Sequence, residues 1–179
     1  MEMSLLKIKI YGDSVLRQKA DEVETIDDYI RAFVRNMFDT MYAADGVGFA
    51  APQAGFLKQI FIIDLSDVEG EPEEPMVFIN PKILWKSEKT SIAEEGCLSI
   101  PGIREDVKRP EEVEVEALNE KGGKVHYKAK GLFARAILHE IDHLEGVLFV
   151  DYLGSVKKMM LKDRLEELER QSKTEQEAA

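Results

Sequence analysis

Apolar and polar positions change their spacing several times along this chain, and each spacing predicts a different element. Between Ile26 and Gly46 the residues Ile30, Phe33, Val34, Met37, Phe38, Met41 and Tyr42 follow the i, i+3, i+4, i+7 rhythm of a helix with one buried stripe. The runs QIFIIDLS (59–66) and MVFINPKILW (76–85) are short, apolar and rich in β-branched and aromatic residues, which predicts strands. The acidic, proline-bearing DVEGEPEEP (67–75) between them predicts a surface loop. EEVEVEAL (111–118) and KVHYKAK (124–130) alternate with period two around NEKGG, the pattern of a hairpin. Helical periodicity returns in GLFARAILHEIDHLEG (131–146), with Gly146 as its stop. A last helix is predicted from SVKKMMLKDRLEELERQ (155–171), capped by Ser155, and the polar SKTEQEAA (172–179) is expected to fray.

These elements predict an α+β fold: one compact domain with mixed or antiparallel sheets packed around a central helix, and further helices towards each terminus. Composition agrees, since 179 residues at 44 % apolar supply a core. A net charge of −11 argues against nucleic-acid binding through phosphates. The N-terminal MEMSLLKIKIYGD lacks the apolar run of a signal peptide, and no stretch approaches the roughly 20 apolar residues of a membrane span. With a single cysteine, the chain is expected in the cytoplasm.

That cysteine, Cys97, lies in AEEGCLSIPG (93–102) and has no partner for an intrachain disulfide. A buried free cysteine is commonly just a small hydrophobe; the alternatives are nucleophile, redox sensor or metal ligand. HEIDH (139–143) bears on the choice, because its two histidines project about 40° apart on a helix and reach one ion. Leu132, Phe133, Ala136, Ile137, Ile141 and Leu144 mark the inward arc, which includes His143 and Glu140 with His139 at its edge, leaving Arg135, Asp142 and Glu145 to solvent. A glutamate on an apolar arc is costly unless paired, and a metal with its bound water removes that cost. No histidine follows His143, so a third ligand must come from Cys97 or from a downstream carboxylate, Asp163 or Glu166. His126, in the hairpin, is expected at the surface without partners. DGVGFAAPQAG (45–55) is either a glycine-rich connector or a loop where Gly46 and Gly48 let backbone approach a ligand and Gln53 offers an amide.

Taken together, GVGFAAPQ, EEGCLS and HEIDH resemble the three signature motifs of the peptide deformylases, in the same order and at similar spacing. YGDSVLR (11–17) and GVLFVDYL (146–153) share the likeness, which extends over most of residues 5–165; Phe49 and Ala54 stand where Leu and Val are more usual. The resemblance implies a catalytic domain over residues 1–165; the acidic, polar C-terminal tail over 166–179 lies outside it. The resemblance also implies removal of the formyl group from the N-formylmethionine of new polypeptides, met transiently at the ribosome, with no membrane partner. Cys97, His139 and His143 would hold one Fe(II) ion per chain, with Zn, Ni or Co able to substitute. Glu140 would act as general base and acid towards a metal-activated water. Gln53 and the Leu98 N–H would hold the formyl oxygen, each donor worth on the order of 3 kcal/mol. Gly48, Val47, Leu132 and Arg104 would contact substrate. Two rivals remain at this point: a metallopeptidase completed by Asp163 or Glu166, and a closed structural or redox-sensing metal site.

Overall fold

Strand β2 (Ile60–Ile63) is buried along its whole length, which is why its sequence reads as an unbroken apolar run rather than an alternation. Phe61 and Ile63 enter one core and Ile60 and Ile62 the other, so the strand lies between two apolar layers. A computed structural model, which describes residues 5–178, shows what those layers are. Strands β1 (Gly48–Ala50), β2, β3 (Met76–Lys86), β6 (Glu112–Leu118) and β7 (Lys124–Lys130) form a five-stranded sheet in the order β1-β2-β3-β6-β7. Helix α1 (Asp28–Ala43) covers one face with Ile30, Phe33, Val34, Met37 and Met41. Helix α2 (Gly131–Leu144) covers the other with Phe133, Ala134, Ile137, Leu138 and Leu144. Each of these side chains larger than alanine contributes about 1.5–3 kcal/mol by leaving water.

The pairings within the sheet are antiparallel, and the predicted hairpin is β6–β7, in register from Glu112↔Lys130 to Leu118↔Lys124. The isolated bridge between Asp21 and Lys58 is parallel. Asp27 caps α1 by accepting the Ile30 N–H. Two positions of the α1 stripe depart from expectation. Tyr42 is exposed and donates its hydroxyl to Asp64, and Phe38 is only partly buried. Thr40 is buried instead, because its hydroxyl is satisfied by the Asn36 carbonyl and the Leu6 N–H.

Strands β4 (Thr90–Cys97) and β5 (Ile100–Pro110) make a second, two-stranded antiparallel sheet that the periodicity did not announce. Its inward residues Ile103 and Val107 share one alternating face, but Ile100 falls out of phase with them, because the register slips between Gly96↔Arg104 and Cys97↔Ile100, where Gly102 takes φ +75°. Such an irregularity re-aims the side chains beside it, and here it lies at Cys97. These residues pack with Leu148, Phe149, Val150, Leu153 and Leu168 into a third core. Helix α3 (Ser155–Glu177) closes the fold. Its cap position is Gly154, with Ser155 already inside the helix, so the expected serine cap is not made. The helix also runs unbroken across residues 165 and 166 and through the stretch expected to fray. It is tied down there by buried Ser172, by Lys7–Glu175 at 3.2 Å, and by close packing of Gly12 against Glu169. The first four residues and Ala179, where the domain and tail limits were placed, lie outside the described residues. No helix among the described residues is long and apolar enough to cross a membrane.

Candidate metal centre and its surroundings

Helix α2 carries His139 and His143 one turn apart, their ring centroids 5.1 Å from each other. The chain reversal after β4 brings Cys97 to meet them, with its Sγ 3.3 Å from His143 Nε2. One ligand atom from each of Cys97, His139 and His143 lies within 4.8 Å of the other two. A tetrahedral ion with metal–sulfur and metal–nitrogen bonds of about 2.3 and 2.0–2.1 Å holds its donors roughly 3.3–3.6 Å apart, so the cluster is near the size of such a shell. Asp163 and Glu166 do not join it: both are exposed on α3, and Glu166 faces Lys162 at 3.7 Å.

Two polar atoms at this cluster, Glu140 Oε2 and His143 Nδ1, are fully buried without a hydrogen-bond partner. Burial pushes the Glu140 carboxyl up to about 7 and holds the His143 ring well below its ordinary value, so that ring is neutral. Burial also works against charge on His139, but the Cys97 sulfur and the Glu95 carboxylate outweigh it and raise this ring well above 6.5. A proton favoured on His139 in the absence of an ion is one that a metal ion would displace on binding there. The donor set, soft sulfur with two imidazoles, suits zinc or ferrous iron. By these tests the residues fit a metal.

Glu95 was not singled out from sequence, yet it organises the far side of the cluster. Only 5 % exposed, it accepts from Arg109 Nε at 2.6 Å and Nη2 at 3.0 Å, from Arg135 Nη1 at 3.1 Å, and faces His139 Nδ1 at 3.2 Å. Burial opposes its charge, but His139 and Arg109 prevail and hold its carboxyl at about 2. Arg109 reaches on to Asp142 at 2.7 Å, and Asp142 also accepts the Tyr152 hydroxyl at 3.1 Å. The wheel that sent Arg135 and Asp142 to solvent is corrected here: Arg135 is buried and Asp142 half-buried. The reason is that α2 packs against both sheets, and its second inward face meets β4 and β5 with polar groups. The glutamate beside the only cysteine was the available signal, but its strand pairing was not.

The GVGFAAPQ motif folds as β1 followed by a single 3-10 turn over Ala51–Ala54. A Cβ added at Gly48 would collide with Glu140 Oε1, and one at Gly46 would meet the Leu98 side chain at 2.8 Å, so both glycines serve close approach. Gln53 is 1 % exposed; its Nε2 donates to Ser99 Oγ at 3.1 Å and Cys97 Sγ at 3.4 Å. Leu98 lies in the turn between β4 and β5, directly after Cys97. The remaining candidates stand further out. Val47 is 48 % and Leu132 40 % exposed, the latter correcting its inward assignment, since it sits in the first turn of α2. Arg104 is exposed and donates to Glu94 at 2.7 Å. His126 is at the surface as expected, but it does have a partner, Glu114 at 2.7 Å.

Comparison with known proteins agrees with the motif order. The family model described as polypeptide deformylase matches residues 5–159. A peptide deformylase of Clostridium botulinum is 54 % identical over 149 residues, covering 83 % of this chain and 97 % of the relative. One from Pseudothermotoga lettingae is 46 % identical over 166 residues, 93 % of each chain. Among solved structures, a peptide deformylase from Legionella pneumophila superimposes with a TM-score of 0.85 at 40 % identity, covering 93 % of this chain and 96 % of its own. The Synechococcus elongatus enzyme in complex with actinonin gives 0.79 at 48 % identity, with 91 % and 85 % covered. With the motifs, the fold and these relatives in agreement, the chain belongs to the polypeptide deformylases, hydrolases that remove the formyl group from the N-formylmethionine of nascent peptides.

Proposed function

We propose that this chain carries out deformylation with one Fe(II) held by Cys97, His139 and His143, with zinc, nickel or cobalt able to take its place. When bound, the ion supplies Lewis acidity and a nucleophile at neutral pH. Glu140 accepts the proton of that nucleophile at its free Oε2 and returns it to the departing amine. Water is thereby added across the formyl C–N bond, and formate and a free amino terminus leave. Gln53 Nε2 and the Leu98 N–H hold the formyl oxygen as it gains charge. Gly48 keeps backbone close to Glu140, Val47 and Leu132 offer apolar surface to the methionine side chain, and Arg104 meets the following peptide. The reaction takes place in the cytoplasm, on chains emerging from the ribosome.

The observation that carries this reading is the unpartnered, fully buried Glu140 Oε2 beside a Cys/His/His cluster. The experiment is formate release from a formyl-Met peptide, anaerobically, with iron added back to wild type and to Glu140→Gln. Wild type should turn over, and the variant should keep its iron while losing at least about 10²-fold in kcat. Equal rates would remove Glu140 from the mechanism, and loss of iron would make it a ligand.

A further inference from the structure

Three hydrogen bonds hold the Gln53 carboxamide. Its Oε1 accepts the Ala50 N–H at 2.8 Å, which fixes which end of the amide is nitrogen. The two hydrogens on Nε2 face Ser99 Oγ at 3.1 Å and Cys97 Sγ at 3.4 Å. These two acceptors are unequal. The amide is planar, so fixing one N–H on the closer Ser99 oxygen also fixes the direction of the other, which rests on the Cys97 sulfur and is open to an approaching oxygen. Ser99 is itself immobile: it is 0 % exposed, and its carbonyl accepts the Tyr11 N–H at 2.8 Å.

We infer that Ser99 is a positioning residue for this reaction: its hydroxyl pins one Gln53 N–H so that the other, resting on the Cys97 sulfur, is presented to the formyl oxygen. The inference rests on the reading of Gln53 as a donor to that oxygen. Without the Ser99 hydroxyl, the amide keeps its Ala50 anchor and the Cys97 sulfur contact that the formyl oxygen would replace, so the donor is less firmly placed when charge develops. Binding of the ground state depends less on that placement, so kcat should fall and KM should not.

The test is a double-mutant cycle on the nickel-loaded enzyme with a formyl-Met peptide, together with hydrogen exchange of the Gln53 side-chain amide, followed by NMR in the zinc-loaded protein. Gln53→Ala should cost about 10² to 10³-fold in kcat. Ser99→Ala should cost about tenfold in kcat with KM held within about twofold, the scale of one lost hydrogen bond. In the Gln53→Ala background the same Ser99→Ala change should cost nothing further, because residues acting through one group are not additive. The Gln53 amide hydrogens should exchange at least about tenfold faster in Ser99→Ala at unchanged metal content. Ser99→Cys, close in size and a weaker acceptor, serves in the same cycle if the alanine variant does not fold. An equal loss in both backgrounds, or unchanged amide exchange, overturns the role of Ser99. Wild-type kinetics for Gln53→Ala overturn the oxyanion reading itself, and the two failures are thus distinct.

Discussion

Replacing Glu95 with Gln removes one charge from the most connected buried group beside the metal cluster. The carboxylate is bracketed by two guanidiniums, Arg109 through two hydrogen bonds and Arg135 through one, all among side chains no more than 7 % exposed. The variant keeps the shape but leaves both arginines in the interior without their shared counter-charge. Breaking a buried ion pair by removing one partner costs about 3–5 kcal/mol. A second route gives a similar size: the fall of the carboxyl from 4.5 to about 2 corresponds to about 3 kcal/mol at roughly 1.4 kcal/mol per pH unit. The sign follows from the folded value being the lower one. The stabilisation is complete above the unfolded value of 4.5 and disappears as pH falls towards 2. Urea denaturation of metal-free wild type and Glu95→Gln should therefore differ by about 3 kcal/mol near neutrality, about 6–12 °C in Tm for a domain of this size. The gap should shrink to under half by about pH 3. A loss below about 1 kcal/mol, or a gap that ignores pH, would refute the picture of an ionised, stabilising cluster.

Other expectations follow from the same geometry. Cys97→Ser replaces a thiolate by a neutral hydroxyl and should weaken metal retention or activity at least about tenfold, read by metal analysis after dialysis; stoichiometric metal with full turnover would exclude Cys97 as a ligand. Gly48→Ala places a methyl against Glu140 Oε1 and should lower kcat at least about tenfold while metal stays bound, because a displaced carboxylate forfeits its general-base contribution. The iron form should lose activity in air while the nickel form persists, since a thiolate ligand beside a redox-active ion is open to oxidation; equal lifetimes would count against a ferrous, cysteine-bound centre.

Where one face of an element alone decides its pattern, the sequence is a good guide: the α1 stripe apart from Phe38 and Tyr42, the β6–β7 hairpin and the two histidines of HEIDH stand where their spacing put them. β2 was legible for the opposite reason, being apolar on both faces. β4 and β5 were not, because most of their side chains meet water and a register slip at Gly96 and Cys97 breaks the alternation. That one omission spread to the site. Without a second sheet against α2, Arg135 had nowhere to go but solvent, and Glu95 and Arg109 had no reason to meet. The two histidines, by contrast, need only helical geometry, and Gln53 stood out as an amide on a glycine-rich loop, while the role proposed for it came through the motif resemblance.

The absence of a possible disulfide takes on another meaning once the origin of the three side chains proposed to hold the ion is considered. Cys97 ends a strand of the small sheet and His143 lies on the helix that backs the large one, 46 residues further along the chain. An ion holding both therefore closes a long loop, and a permanent cross-link of that span restricts the unfolded chain by about 4 kcal/mol in the entropy model. Such an ion would double as a removable staple between two cores, in a chain that has no second cysteine to make a covalent one. Its hold depends on free metal concentration, so stripping the ion should loosen the seam between the sheets before it unfolds either of them.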